Sequence, residues 1–115
     1  MGVAGAHGRA GEALAAAYLE LRGYVICARN IRLAGVEVDL VVEEGRTQVL
    51  VEVKTRTRGD YGGAALAVDR VKRARLLRAA GALDPSRPRR IDVVAIETSD
   101  QGAVLTHYRN ALTDA

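Results

Sequence analysis

The sequence predicts an α/β fold, one sheet with helices packed on it, and three observations carry that expectation. Gly8–Arg22 places apolar side chains at helical spacing. Val36–Lys54 holds two alternating apolar/polar runs joined by a short polar turn, and Ile91–Ile96 is nearly continuously apolar. A length of 115 residues suits one compact domain, taken as residues 1–115. A composition 49% hydrophobic and 27% charged is that of a packed domain, not of a disordered segment. With no Phe or Trp, the core must come from Val, Leu, Ile, abundant Ala and four Tyr.

The elements follow in order. In the first helix, Leu14, Tyr18 and Leu21 recur at helical spacing among alanines at 13, 15, 16 and 17, and Gly23 stops it. Tyr24–Arg32, opening with Val25 and Ile26, predicts a strand. Val36–Val42 and Gln48–Lys54 predict a hairpin around Glu43-Glu44-Gly45-Arg46. Gly59, Gly62 and Gly63 mark a loop. Ala64–Ala82 predicts a second helix, with Val68, Val71, Ala74 and Leu77 at three-residue steps, and Pro85 and Pro88 end that region. Ile91–Ile96 suits a strand buried on both faces, and Ala103–Arg109 a final or edge strand.

Composition also excludes function classes. No apolar run approaches the roughly 18 residues of a membrane span, and Met1–Arg9 lacks the apolar block of a signal peptide. The expectation is a cytoplasmic protein. The lone Cys27 excludes an internal disulfide and a cysteine-based zinc cluster, and its apolar neighbours suggest an inert buried thiol. The net charge of +3 conceals a polarised chain. Lys54–Arg90 carries eleven basic and three acidic residues, while residues 1–53 and 91–115 are net acidic. Only Lys54 and Lys72 are lysines; the other fifteen basic residues are arginines.

In the hairpin, Glu37 and Asp39 alternate with valines, and so do Glu52 and Lys54. With Gly45-Arg46 as the tight turn, Asp39 falls across from Glu52, and Glu37 across from Lys54. Facing carboxylates repel, so either one takes a proton or a cation sits between them. A hard divalent ion is the natural guest, and a nearby lysine adds what metal-assisted phosphodiester hydrolysis requires. A strand with one wet face would show the same alternation. Glu12 lies in the first helix beside small residues. It either favours the helix dipole at the surface or reaches the same ion from above.

Several ordered motifs resemble the YraN-type UPF0102 family. They are Gly11-Glu12, Gly23-Tyr24, Arg29-Asn30, Gly35-Val36-Glu37-Val38-Asp39-Leu40 and Val51-Glu52-Val53-Lys54-Thr55-Arg56. Ala67-Val68 with Lys72, Arg90–Ile96, and His107 with Asn110-Ala111 continue the resemblance, which spans about Gly8 to Leu112. That family is similar to the PD-(D/E)xK nuclease superfamily and its Holliday-junction-resolvase branch. The resemblance implies a restriction-endonuclease-like αβββαβ core with a mixed central sheet flanked by helices. It implies Asp39, Glu52 and Lys54 as catalytic residues, and Glu12, Asp39 and Glu52 as ligands of Mg²⁺ or Mn²⁺. Glu37 is a family-typical residue that would line the site. Val36 departs from the family, which usually has a second glycine there.

The basic segment begins at Lys54, and phosphate contacts or a solvated helix face would each explain it. Arg56, Arg58, Lys72 and Arg73 are the nucleic-acid-binding candidates, with Tyr61 as a residue that would stack on a base or pack over the sheet. On the helix these charges look scattered, and His107 and Tyr108 read as structural. The expectation is a metal-dependent nuclease acting on DNA, including structured or branched DNA. The resolvase resemblance implies a homodimer. The rival is a catalytically silent nucleic-acid-binding module on the same fold.

Overall fold

The computed structural model describes residues 2–57 and 70–112, with side chains from residue 9 onward. Seven elements are present among them. They are α1 (Gly2–Leu21), β1 (Val25–Leu33), β2 (Val36–Glu44), β3 (Thr47–Thr57), α2 (Arg70–Ala80), β4 (Arg89–Ser99) and β5 (Gly102–Tyr108). The strands form one sheet in the order β1-β2-β3-β4-β5. Only β3 and β4 are parallel, and all other neighbours are antiparallel. The αβββαβ order with a mixed sheet is therefore present, and β5 adds an edge strand.

Turn chemistry sets the hairpins. Ala34 and Gly35 both take positive φ between β1 and β2, as a tight two-residue turn requires. Gly45 does so at the head of the Gly45-Arg46 turn, where Glu44 pairs with Thr47. The turn is the one expected from the sequence.

The two helices cover opposite faces. On one face Ala15, Ala16 and Leu19 of α1 pack on Leu40, Val42, Val49, Val51, Val94 and Ile96. On the other, Leu76 and Ala79 of α2 pack on Val38, Val41, Leu50 and Ile91. Burial on both faces explains the continuous run in β4, where every residue from Ile91 to Ile96 is buried.

Small residues, not the large ones at helical spacing, make the α1 contact. Leu14 is 43% exposed and Leu21 88%, so the expected Leu14/Tyr18/Leu21 stripe is displaced by about one position toward Gly11, Ala15, Ala16 and Leu19. An added Cβ on Gly11 would overlap the Thr55 methyl group, so glycine is what lets α1 lie this close to β3. Helix α1 also starts earlier than expected, at Gly2.

In α2 the three-residue step fails too. Val71 is 61% exposed and Ala74 is exposed, while Leu76 and Ala79 are buried; Val68 lies outside the described residues. Cys27 is exposed, contrary to the expected buried thiol, because it sits on an edge strand at a register shift between Ile26 and Ala28. Burial and the neighbouring Glu43 still push its thiol pKa up, which keeps it protonated.

A polar cluster is buried beneath α1. Asp92 of β4 accepts bonds from Arg90 Nε and Nη2 (2.8 and 3.0 Å), from His107 Nε2 (2.8 Å) and from the Asn110 amide (2.8 Å). Arg90 extends the cluster to the Tyr24 hydroxyl and to Glu44. The rings of Tyr18 and Tyr24 meet His107 edge-on. His107 is thus a structural residue, as expected.

Candidate active site

The site begins where β2 and β3 part. Their pairing runs from Glu44–Thr47 to Leu40–Val51 and stops there. Beyond that point β2 pairs only with β1, as in Arg32–Glu37 and Leu33–Val36. At the parting, Asp39 Oδ2 accepts the Val53 amide at 2.8 Å, so a side chain takes over a backbone bond the ladder no longer makes. The next position along each strand would set Asp39 across from Glu52, the arrangement expected from the sequence. The expected Glu37–Lys54 pairing is not formed. Glu37 instead lies opposite Arg32 of β1, and Arg32 Nη2 donates to its carboxylate at 3.1 Å.

The strands also change facing here. Val38 packs on the α2 side and Leu40 on the α1 side, although two residues apart they should share a face. Asn30, between the paired residues Arg29 and Ile31, takes φ +50, a left-handed conformation that asparagine tolerates better than most residues. Its side chain lies near enough to Glu12 to favour that carboxylate. The distortion brings Asp39 within reach of α1 as well as α2.

Glu52 points to the α2 side and is only 5% exposed. Its carboxylate is ion-paired with the Lys72 ammonium of α2. Burial pushes the Glu52 pKa up, Lys72 opposes that, and the Asp39 charge adds to it. Lys54, two residues further along the same face, is near enough for its charge to favour the Glu52 carboxylate.

Glu12 arrives from α1, next to the glycine that permits the close approach to β3. Burial raises its pKa; the Asn30 side chain lowers it, and the nearby Asp39 raises it again.

Asp39 thus stands between two other acids, near Glu12 on the α1 side and near Glu52 on the α2 side, with Lys54 and Lys72 beside Glu52. Glu37 stays at the rim. Arg56 is half-buried on β3 and Arg73 half-buried on α2. Arg58 and Tyr61 lie outside the described residues.

The acids open into a cleft of about 620 Å³ between β2 and α2, lined by Glu37, Asp39 and Glu52 on the sheet side and by Lys72, Arg75 and Arg78 on the helix. Arg75 and Arg78 were not singled out in the sequence as site residues, and Asn30 entered only through the Arg29-Asn30 motif. The three-residue spacing from Lys72 was the available sign of the first two, and an asparagine inside a strand the sign of the third.

Among the described residues, no three His, Cys, Asp or Glu side chains close into a ready metal cage. The donor set nevertheless fits a hard divalent ion. Asp39 and Glu52 supply carboxylate oxygens at one open place, and Mg²⁺ characteristically takes one or two carboxylates and keeps several waters. Among the described residues no helix is long and apolar enough to cross a membrane.

Comparison with known proteins agrees with the motif resemblance. Residues 11–96 match the family described as "Uncharacterised protein family UPF0102". A UPF0102 protein of Geobacter metallireducens is 42% identical over 111 residues, covering 90% of this chain and 89% of the relative. A UPF0102 protein of Paenarthrobacter aurescens is 46% identical, covering 89% of each chain. The UPF0102 protein YraN of Salmonella arizonae is 47% identical over 73 residues, covering 64% of this chain and 56% of the relative. With that match spanning both helices and the strands that carry Asp39 and Glu52, the chain belongs to the UPF0102 family.

Proposed function

We propose that this protein is a divalent-metal-dependent nuclease that hydrolyses phosphodiester bonds in DNA, structured or branched DNA included. The observation that carries the proposal is that Asp39 and Glu52 line one cleft where β2 and β3 part, with Lys54 near Glu52 and Glu12 near Asp39. A fold does not need mutually repelling acids at a solvent-accessible cleft, and the raised pKa values of Glu12 and Glu52 express that repulsion and burial.

Asp39 and Glu52 would hold the ion, Mg²⁺ or Mn²⁺, with Glu12 as a third donor. When bound, the metal supplies Lewis-acid polarisation of the phosphate and an acidified water. The chain's own residues prepare the site. The Val53 amide fixes the Asp39 carboxylate, leaving its other oxygen for a ligand. Lys72 favours the ionised form of Glu52 despite burial. Lys54 orients the attacking water or stabilises charge developing on the phosphate.

The direct test incubates the protein with plasmid, single-stranded and four-way-junction DNA, with and without Mg²⁺ or Mn²⁺. Metal-dependent cleavage that disappears in Glu52→Gln and Lys54→Ala is the expected result. Folded protein that cleaves none of these substrates overturns the proposal.

One observation favours the rival, a catalytically silent nucleic-acid-binding module: Lys72 already neutralises Glu52 without a metal. Salt-sensitive binding that persists in chelator, with no cleavage under any metal, would decide for it. The nuclease proposal carries a homodimer with it, because resolution of a branched substrate cuts two strands. Sedimentation at micromolar concentration reads that directly.

A further inference from the structure

Helix α2 carries more positive charge than its own stability favours. Between Arg70 and Ala80 there are five basic residues and no acid. Like charges three and four residues apart repel along a helix, at a few tenths of a kcal/mol per pair. A surface helix that only needs solubility mixes signs; this one leaves the repulsion for an external anion to offset.

The charges are also arranged. Lys72, Arg75 and Arg78 stand at three-residue steps, each about 4.5 Å along the helix axis, and all three line the cleft that holds Asp39 and Glu52. Lys72 is engaged with Glu52. Arg75 and Arg78 are exposed, and among the described residues neither guanidinium has a hydrogen bond or ion pair. The nearest rim acid, Glu37, is already taken by Arg32. Arg78 sits in the last turn of α2, where it also meets the helix dipole, but Arg75 has no such partner.

Several arginines elsewhere are spent on the fold. Arg87 is bound to Glu43 and the Arg46 carbonyl, Arg89 to the Ala80 carbonyl, Arg90 to Asp92, and Arg109 to Glu44. Arg75 and Arg78 instead line the cleft that holds Asp39 and Glu52.

We propose that Arg75 and Arg78 grip successive phosphates of one nucleic-acid strand, so that its backbone runs along α2 with one end beside the acid group. The inference rests on the nuclease reading for the identity of the polyanion, and adds which residues hold it and that they hold a single backbone. A planar guanidinium suits that task because it meets a phosphate with two parallel donors. The cleft of about 620 Å³ beside these arginines has room for one such backbone.

The test is fluorescence anisotropy with a labelled single strand of about 12 nucleotides, in chelator, across about 50 to 200 mM salt. Each lost phosphate contact removes about 0.7 from the slope of log K against log salt. The double variant Arg75→Gln/Arg78→Gln should therefore lose roughly 1.4 and bind about tenfold or more weakly at 100 mM salt. Arg46→Gln, in the β2–β3 turn at the other end of the sheet, removes the same kind of charge and should keep the parent slope. Both positions are exposed, and thermal melts confirm that each variant is folded.

An unchanged slope in the double variant, or an equal loss in Arg46→Gln, overturns the grip. A loss seen with the matching duplex but not with the single strand overturns the single-backbone assignment. If the slope falls as expected while the parent cleaves no DNA with Mg²⁺ or Mn²⁺, the grip stands and the nuclease reading is what fails.

Discussion

Glu52 and Asp92 are buried acids on neighbouring strands, one register step apart, and the sheet treats them in opposite ways. Asp92 pairs in register with Val51, and Glu52 with Val93. Asp92 is fully buried beneath α1, with four hydrogen bonds from Arg90, His107 and the Asn110 amide. Glu52 faces α2 and has one engaged lysine, which is itself half-exposed in the cleft. Burial alone would raise both pKa values. At Asp92 the surrounding donors reverse that and hold the carboxyl below its usual range; at Glu52 they do not, and it stays raised. Burial by itself therefore does not separate a structural acid from a functional one. The separation lies in how completely the carboxylate is satisfied.

The sharpest break of this comparison is at Asp92. Asp92→Ala leaves Arg90 and His107 buried without their acceptor and releases the Asn110 amide. Loss of one partner of a buried ion pair costs about 3–5 kcal/mol. Urea melts should show a loss of that size, which for a domain this small is a large part of its stability. A loss below about 1 kcal/mol would mean that the cluster is not what ties β5 and the following turn to β4.

Gly11→Ala comes next, where α1 meets β3. A Cβ there overlaps the Thr55 methyl group, on a β-branched side chain with little freedom to move. Overpacking of this kind costs about 1–3 kcal/mol, less a gain of up to about 1 kcal/mol in helix propensity. Thr55→Ser removes the obstructing methyl group, so the double variant should recover most of the loss. Additive losses in a double-mutant cycle would show that the two residues do not meet.

These two positions also show what the chain declares and what it conceals. The hairpin, its Gly45-Arg46 turn, the doubly buried β4 and the Asp39/Glu52 juxtaposition all follow from strand alternation and turn chemistry, which act over a few residues. The buried faces of the helices do not. Apolar side chains at helical spacing pointed to Leu14 and Leu21, yet close packing against the sheet selects Gly11, Ala15 and Ala16, because small residues bring the helix axis nearer. The Glu37–Arg32 pair, the reset of facing at Asn30 and the reach of Glu12 to Asp39 depend on where β2 leaves β3. That is a tertiary event with no local signature beyond one asparagine. Arg75 and Arg78 were visible as charges, but their common cleft appears only once α2 has been laid on the sheet.

Glu52→Gln should behave unlike Asp92→Ala in every respect. Burial outweighs Lys72 at this carboxylate, so removing its charge leaves stability within about 1 kcal/mol of the parent, on the stabilising side. Metal-dependent cleavage should nevertheless disappear. The two acids also differ in the sign of their pH dependence. Asp92 has a lowered folded pKa, so its contribution is fully present above its unfolded value near 3.9 and fades as pH falls through the lower folded value. Glu52 has a raised folded pKa, so its contribution is present below its unfolded value and is lost as pH rises through the folded one. Urea stability measured from about pH 3 to pH 8 should therefore fall at the acid end in the parent. In Glu52→Gln the acid loss should persist, and the advantage over the parent should grow with rising pH. A Glu52→Gln variant whose advantage shrinks with rising pH would contradict the direction assigned to Glu52.

The smallest effect belongs to Tyr24→Phe, which probes how redundant the Asp92 cluster is. The Tyr24 hydroxyl accepts a bond from Arg90 Nη2 at 2.9 Å, and burial followed by the opposing charge of Arg90 sets its raised pKa. Arg90 keeps Asp92 and Glu44 when that hydroxyl is gone, and the ring keeps its edge contact with His107. The loss should be that of one hydrogen bond, about 1 kcal/mol, with no change in DNA cleavage. A loss approaching that of Asp92→Ala would mean that Tyr24, not the Arg90–Asp92 pair, holds the guanidinium in place.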